Sequence, residues 1–384
     1  MKEVRIGIIG LGSMGANHAR SILEGKIPRA VFTAASDQNP KAAERFPQVP
    51  FFPDTEALIN SGLVDAVLIA TPHFAHTTEG IAALKAGLHV LVEKPISVHK
   101  ADCERFIAAY QPGRQVFAAM FNQRTDPFYI KLRELIQNGE LGALRRIQWT
   151  VTNWFRTQAY YNSGGWRATW AGEGGGVLLN QCPHNLDLWQ WLFGMPDEVR
   201  AFAALGRYHT IEVEDDVTAY LKYRDGTTGV FITSTGEAPG SNRLEVAAER
   251  GKVVLENNRF TFTRNEIPMS KYSQTTDKLF VGPPTWEINI PIEGRGPQHN
   301  GIITNFVASI LDGAPLLAPA VEGIHSVELA NAMILSSMEN ETVSLPMDSA
   351  RYETLLQRNI AGSKVKAAVA VVPTSADFSK SFNS

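Results

Sequence analysis

The first 120 residues alternate short, almost purely apolar runs with stretches of helical periodicity, and this alternation restricts the chain to few folds. The apolar runs cover residues 4–9, 31–36, 64–70, 89–92 and 116–119, and helical patterns cover 16–23 and 75–86. Strands that are apolar on both faces belong to parallel sheets buried between helices. We therefore expect a doubly wound α/β domain over residues 1–122.

A glycine-rich loop connects the first strand to the first helix. Gly10, Gly12 and Gly15 form a G-x-G-x-x-G, with Ser13 and Met14 inside it at the start of the helix. Such glycines allow a tight turn, the approach of a pyrophosphate to the backbone and close packing of helix on strand. An ordinary α/β turn is the alternative, but the strand and helix on either side favour a dinucleotide-binding Rossmann domain.

The residue that ends the second strand indicates which dinucleotide binds. Asp37 follows the glycine loop by about 20 residues, the usual spacing of the carboxylate that accepts hydrogen bonds from the adenosine ribose. The next residues, Gln38, Asn39 and Pro40, supply no cation for a 2′-phosphate. We therefore expect NAD rather than NADP.

The pattern changes after residue 122. A helix is predicted over 126–138, followed by segments that alternate with period two at 145–154, 217–223, 228–233 and 244–248. Helical patterns return at 300–311 and 322–338. Residues 123–346 are therefore expected to form an α+β domain. It contains a large, mainly antiparallel open sheet, and its late helices can pack back on the first domain. Residues 347–384 are expected to form a C-terminal helix and a mobile tail.

Composition excludes several classes of function. Thirty-six basic and thirty-nine acidic residues give a net charge of −3, which provides no positive field for a nucleic acid. The apolar runs are far shorter than the roughly 20 residues that span a bilayer. Two cysteines, Cys103 and Cys182, cannot form a disulfide framework, and the chain enters a strand pattern at once. We therefore expect a cytoplasmic protein without a signal peptide.

A Glu-Lys-Pro motif lies just beyond the strand His89–Val92, at the edge of the sheet where ligands bind. Together with several other short motifs, it makes this sequence resemble the Gfo/Idh/MocA family, which includes glucose–fructose oxidoreductase and inositol dehydrogenase. The resemblance covers about residues 3–346. The residues that carry it are the glycine loop, Ala70-Thr71-Pro72, His76, Glu93-Lys94-Pro95, Asn305-Phe306 and Leu345-Pro346.

The resemblance implies a role for Lys94 and a set of cofactor ligands. Lys94 would bond the reacting hydroxyl or carbonyl oxygen and help transfer its proton. The alternative is a solvated ion pair with Glu93. A cis Lys94–Pro95 bond is also implied, and His73 stands where the family often has Asn, near the cofactor ribose. The cofactor residues assigned beside the glycines and Asp37 are Thr71, Pro72, His73, His76, Glu93 and Lys94.

A second motif runs from Gly174 to Asp187. The family pattern is Gly-Gly-Gly, apolar residues and Asp-x-x-x-His, so His184 matches the catalytic histidine and Asn180 replaces the aspartate. Pro183 suits a first helical turn, which places His184 near the positive end of the helix dipole. We expect a neutral His184 with a pKa near or under about 6.5. A helix-start histidine that bonds its own backbone is the alternative.

Further residues are expected to contact substrate. Aromatic and guanidinium groups between residues 154 and 174 suit the faces and hydroxyls of a sugar ring, although loop packing or an oligomer contact is an alternative. The predicted substrate residues are Asn122, Arg124, Tyr160, Trp166, Arg167, Asn180, His184 and Asp187. His73-x-x-His76 and Cys182-x-His184 lack further ligands at recognisable spacing, so no metal is expected.

Three functions are compatible with these motifs. An NAD-dependent oxidoreductase for a sugar, sugar derivative or cyclitol is favoured. A glycosidase that retains NAD and oxidises its substrate transiently is the second, and a non-catalytic NAD-binding protein is the third. The resemblance also implies a homodimer or homotetramer formed through the open face of the second sheet.

Overall fold

A parallel sheet forms the first half of the chain in the computed structural model, which describes residues 2–364. Its strands are β1 (Val4–Ile9), β2 (Ala30–Ser36), β3 (Phe51–Phe52), β4 (Ala66–Ile69), β5 (His89–Val92) and β6 (Phe117–Ala119). The spatial order is β3-β2-β1-β4-β5-β6. The helices are α1 (Ser13–Leu23), α2 (Thr55–Ile59), α3 (His73–Lys85) and α4 (Lys100–Ala108).

The strand order reverses between β1 and β4, and this reversal opens a crevice at the carboxyl ends of the two strands. Gly10, directly after β1, has a φ of +88°, and a Cβ there would lie 2.8 Å from the backbone of Ala70. A Cβ on Gly15 would lie 1.9 Å from the carbonyl oxygen of Gly10. The close packing explains why the loop needs glycine at both positions.

A nine-stranded sheet forms most of the second half. Its strands are β7 (Leu144–Val151), β8 (Glu198–Leu205), β9 (Glu214–Lys222), β10 (Thr228–Ser234), β11 (Asn242–Ala248), β12 (Gly251–Glu256), β13 (Arg259–Asn265), β14 (Thr285–Ile290) and β15 (Val343–Ser344). The order is β14-β13-β12-β11-β7-β10-β9-β8-β15. Neighbours are antiparallel except β7 and β10, which run parallel. The predicted fold class is confirmed, with this parallel pair inside the mainly antiparallel sheet.

The helices that follow β6 are α5 (Pro127–Gln137), α6 (Gln158–Asn162), α7 (Pro183–Phe193), α8 (Met269–Thr275), α9 (Gln298–Asp312), α10 (Gly323–Glu339) and α11 (Ser349–Gly362). Of these, α10 packs against β8 of the large sheet, whereas α9 packs against β1 and β5 of the first sheet. Short 3₁₀ helices span Pro40–Arg45, Asn122–Thr125 and Ala320–Glu322. The predicted C-terminal helix corresponds to α11, whereas most of the predicted mobile tail lies outside the described residues.

Each sheet packs against its own hydrophobic core, and the late helices contribute residues to both cores. Ile303 and Phe306 of α9 are buried in the core of the first sheet, whereas Leu329 and Met333 of α10 are buried in the core of the second. In the large sheet, Val217, Ala219 and Leu221 of β9 face the core, and the residues between them are exposed. This alternation explains the period-two pattern of the sequence.

A buried carboxylate holds the glycine run that precedes α7. The backbone N–H groups of Gly176 and Leu178 donate to Oε1 of Glu214, at 2.8 and 3.1 Å. A Cβ on Gly176 would lie 1.9 Å from the carbonyl oxygen of Glu214, so this approach needs glycine. Burial raises the pKa of Glu214 to about 7.

The Glu214→Gln variant tests this arrangement through the pH dependence of stability. The native carboxyl keeps its proton to a higher pH than the unfolded one, with a pKa of about 7 against an ordinary value of 4.5. Its contribution to wild-type stability therefore falls as pH rises through that window. We expect the free energy of unfolding of the variant, minus that of wild type, to rise with pH across the window in urea titrations. Parallel stability profiles would contradict the assignment.

Candidate active site

A cleft of about 850 Å³ lies between the carboxyl edge of the first sheet and the loops that precede α7. Sixteen of the residues predicted from sequence line it together: Gly10, Gly12, Ser13, Met14, Asp37, Thr71, Pro72, His73, His76, Glu93, Lys94, Tyr160, Trp166, Arg167, Asn180 and His184. Gly15 lies beneath the loop, where it packs on Gly10. The cleft has the volume typical of small-molecule and cofactor sites.

The half of the cleft beside β1 and β2 fits a dinucleotide. Gly12 precedes α1, and no atom lies within 4 Å of the position that a Cβ would occupy there. The backbone at this helix N-terminus is therefore open to a phosphate. Asp37 accepts the backbone N–H groups of Leu11 and Asn39, at 2.7 and 2.8 Å. These bonds fix the carboxylate and leave lone pairs for the two ribose hydroxyls.

Lys94 reaches across the cleft. Its Nζ donates to the backbone carbonyl oxygen of Asn180 at 3.0 Å, and the Lys94–Pro95 bond is cis, as the resemblance implies. The alternative of a solvated pair with Glu93 does not fit, because the buried Glu93 carboxylate lies 2.7 Å from Nε2 of His18. Burial lowers the pKa of Lys94, and the charges of Glu93 and Glu173 oppose that decrease.

His184 lies in the first turn of α7, directly after Pro183. Its ring is buried, and neither ring nitrogen has a hydrogen-bond partner among the described residues. The alternative of a bond to its own backbone is therefore not observed. Burial lowers the pKa of His184 well below 6.5, and the charge of Lys94 acts in the same direction. The predicted direction is confirmed, although burial is the main cause.

Two further histidines lie at the cofactor side of the cleft. The ring of His76 is held between the carbonyl oxygens of Pro95 and Thr71, 2.8 Å from each, so it supports the loops after β4 and β5. His73 has an Nδ1 without a partner in the described part of the chain. Burial lowers the pKa of His73 to about 3, which keeps the ring neutral.

Three predicted substrate residues are not brought to the cleft lining. The guanidinium of Arg124 donates to both carboxylate oxygens of Asp187, at 2.8 and 2.6 Å, and both side chains are 1% exposed. The Nδ2 of Asn122 donates to Oε1 of Gln298 at 2.6 Å, and this residue is also buried. Arg124 and Asp187 thus satisfy each other and connect the end of β6 to α7.

Aromatic rings and guanidinium groups alternate along the opposite wall. Arg167 lies over the rings of Tyr160 and Trp166, at 4.7 and 4.5 Å from their centroids. Arg156 lies over the rings of Trp154 and Tyr160, at 5.7 and 5.3 Å. Trp154 and Arg156 also line the cleft. They were not predicted as lining residues, because the sequence pattern indicated a strand that continued to residue 154. The chain leaves β7 after Val151 instead.

The residues around the cleft give little support to a cysteine nucleophile or to a metal site. Burial raises the pKa of Cys182 to about 12, and its Sγ contacts Oγ1 of Thr233 at 3.0 Å, so this thiol is a poor nucleophile. Among residues 2–364, no three His, Cys, Asp or Glu side chains are grouped so as to hold a metal ion. Across the same residues, no helix has the length and apolar character of a membrane span.

Asp37→Ser tests the cofactor half of the site without any turnover. A bond to a charged group contributes roughly 1.5–3 kcal/mol, which corresponds to tenfold or more in affinity. We expect wild type to bind NADH at least about tenfold more tightly than NADPH, because Asp37 bonds the ribose hydroxyls and repels a 2′-phosphate. The variant should narrow that ratio. Titration by nicotinamide fluorescence measures both affinities, and equal wild-type affinities would contradict the assignment.

Comparisons with known proteins agree with this geometry. The family profile described as "Oxidoreductase family, NAD-binding Rossmann fold" matches residues 4–120, and the profile of the GFO/IDH/MocA C-terminal domain matches residues 129–254. Myo-inositol 2-dehydrogenase of Thermotoga maritima is 28% identical over 67% of this chain and 77% of its own length. Inositol 2-dehydrogenase of Corynebacterium glutamicum is 30% identical over 63% of this chain and 76% of its own length.

Solved structures show the same fold. The WlbA dehydrogenase of Bordetella pertussis, in complex with NADH and UDP-GlcNAcA, has a TM-score of 0.76 and 24% identity. The match covers 90% of this chain and all of that one, at 100%. The profiles cover the first sheet and the second sheet as far as β12, and the glycine loop, Lys94 and His184 occupy one cleft. The chain therefore belongs to the Gfo/Idh/MocA family of oxidoreductases, with an NAD-binding Rossmann domain.

Proposed function

We propose that this protein transfers a hydride between NAD and a hydroxyl-bearing or keto carbon of a sugar, sugar derivative or cyclitol. One observation carries the proposal: Lys94 and His184 line the same cleft as the open glycine loop, and the His184 ring has no hydrogen-bond partner in the described part of the chain. An unpaired buried imidazole is costly unless a ligand uses it. The inositol dehydrogenases similar to this chain support the substrate class.

In the proposed oxidation, one set of residues would bind NAD and another would act on the hydroxyl of the substrate. The glycine loop and Asp37 would hold NAD, which when bound supplies the acceptor for the hydride that leaves the carbinol carbon. The hydroxyl proton must leave as the carbonyl forms, and the Lys94 amine is placed to accept it. In the reverse direction the Lys94 ammonium stabilises the developing alkoxide and returns the proton. The neutral ring of His184 orients the same hydroxyl by a hydrogen bond.

The aromatic wall supports a ring-shaped polar substrate. Tyr160 and Trp166 offer flat faces to C–H groups, and Arg167 adds hydrogen-bond donors between them. A panel of monosaccharides, glycosides and inositols with NAD, followed by NADH absorbance, tests the substrate class. Stoichiometric NADH formation with one of these compounds is expected. Release of an aglycone without accumulation of NADH would contradict the proposal and favour the NAD-retaining glycosidase.

The organisation of the protein is a further part of the proposal. The two hydrophobic cores support domains over 1–122 and 123–346, with a C-terminal extension over 347–384. The helix α9 of the second range contributes to the first core, and α11 of the extension contributes to the second core. Phe202 and Tyr220 on the outer face of the second sheet are 65% and 45% exposed, which supports a homodimer or homotetramer formed through that face. Both cysteines are buried and free, which suits a reducing compartment such as the cytoplasm.

Lys94→Ala tests the proton-transfer role. Turnover is expected to fall by roughly 10²–10⁴, the usual contribution of a positioned acid or base. NADH affinity should stay close to that of wild type, because the glycine loop holds the phosphates elsewhere in the cleft. Steady-state rates and NADH titration measure the two effects separately. A variant with near-native turnover would show that Lys94 takes no part in the reaction.

His184→Gln tests whether this ring acts in its neutral form. Because the pKa of His184 lies well below 6.5, the ring is expected to stay neutral throughout the working range. The variant should therefore lose turnover while the acidic limb of its pH–rate profile stays at the wild-type position. A wild-type limb near pH 6.5 that disappears in the variant would show instead that His184 titrates normally.

A further inference from the structure

A buried carboxylate that the sequence analysis did not single out lies beside Lys94 and Asn180. Glu173 directly precedes the glycine run and is only 2% exposed. Its Oε2 accepts the backbone N–H of Ala168 at 2.6 Å, and its Oε1 contacts Nδ2 of Asn180. Ala168 has a φ of 51°, a left-handed conformation that a non-glycine residue adopts only where surrounding contacts fix it.

The hydrogen bonds indicate that Glu173 is ionised. Both of its oxygens face N–H donors, and a protonated carboxyl would instead need an acceptor for its own O–H. Burial raises the pKa of this carboxyl above its ordinary value, and the bonds from Ala168 and Asn180 and the charges of Arg167 and Lys94 counter only part of that increase. The negative charge is thus compensated from both halves of the chain.

Asn180 connects this carboxylate to Lys94. Its side-chain Nδ2 contacts Glu173, its Oδ1 accepts from Nε2 of Gln181 at 2.9 Å, and its backbone carbonyl oxygen accepts from Nζ of Lys94 at 3.0 Å. The amide cannot supply the charge of the aspartate that the family pattern has at this position. Glu173 brings a carboxylate to the same place from seven residues earlier in the chain.

We propose that Glu173 supplies the negative charge that Asn180 lacks, and that it acts through Asn180 as a positioning residue for the Lys94 ammonium. The inference rests on the proposed function, since it assigns a role within the same site. Removal of the carboxylate would leave Lys94 facing the cleft with less compensation, so its ammonium form would be less stable.

Other charged and titratable groups also face Lys94, and a test of Glu173 must leave them unchanged because they affect the ionisation of Lys94 as well. They are Glu93, His73, His76, Arg156, Cys182, His184 and His299. Glu93 is a carboxylate as well, in contact with Nε2 of His18, and it stabilises the Lys94 ammonium equally in every protein compared, because no variant changes it. Burial lowers the pKa values of His73, His184 and His299, so these rings are neutral near pH 7. Burial also lowers the pKa of His76, whereas its contacts with two backbone carbonyl oxygens raise it.

The test compares three proteins in which the charge at this contact is kept, removed or moved. Glu173→Gln removes it and preserves the shape of the side chain. The double variant Glu173→Gln with Asn180→Asp moves the charge to the other side chain and retains a hydrogen bond with reversed polarity. Glu212→Gln is the matched control, because Glu212 also accepts a backbone N–H of this loop, from Trp170 at 2.7 Å. The carboxylates that act most strongly on Lys94 are instead Glu93 and Glu173.

The main readout is the pH dependence of competitive acylation of Lys94, measured by mass spectrometry on the full-length protein. Only the neutral amine reacts, so the midpoint reports the ionisation of Lys94 without any turnover. We expect the midpoint of Glu173→Gln to lie about one pH unit below that of wild type. The double variant and the Glu212 control should match wild type.

The outcomes separate a positioning role from a merely structural one. An unchanged Lys94 midpoint in Glu173→Gln, with or without a lower melting temperature, would overturn the inference. If that variant does not fold, the double variant decides, because a midpoint below that of wild type would also overturn it. Absence of NAD-linked activity in wild type would refute the proposed function, whereas the labelling result would stand independently.

Discussion

The hydrogen bond from Nζ of Lys94 to the backbone carbonyl oxygen of Asn180 brings the two halves of this protein into one site. Lys94 stands where β5 leaves the parallel sheet, and Asn180 stands in the loop that leads into α7. The side-chain carboxylate of Glu214, on β9, accepts hydrogen bonds from the glycine run of that loop. The geometry of the cleft therefore depends on contacts between elements that are distant in sequence.

Burial controls the chemistry available at the cleft. The lysine has a pKa lowered by desolvation and supported by two carboxylates, so its ammonium and amine are closer in energy than in water. The His184 ring has no hydrogen-bond partner within residues 2–364, and burial lowers its pKa, so it remains neutral. In the proposed oxidation of a hydroxyl, Lys94 exchanges the proton and His184 orients the hydroxyl.

Much of the fold and of the site follows from the sequence, because local patterns determine it. Apolar strands, the glycine loop and Lys94 are each defined by a few neighbouring residues, and the structure places them in one cleft. Asp187 was predicted to contact substrate, and local patterns do not show that it is buried instead. Helical spacing puts it near His184, but only the folded chain brings Arg124 within reach and buries the pair. Glu173 was missed because nothing in the sequence shows that a carboxylate beside glycines is buried.

The central claim is that a hydride leaves a sugar or cyclitol carbon for the nicotinamide in this cleft. Deuterium tracing tests it directly: a substrate identified by the panel, deuterated at every carbon, is incubated with the enzyme and NAD. We predict that the NADH formed carries one deuterium on its nicotinamide ring, as measured by mass spectrometry. A nicotinamide ring that never acquires the label, during or after turnover, would contradict the account.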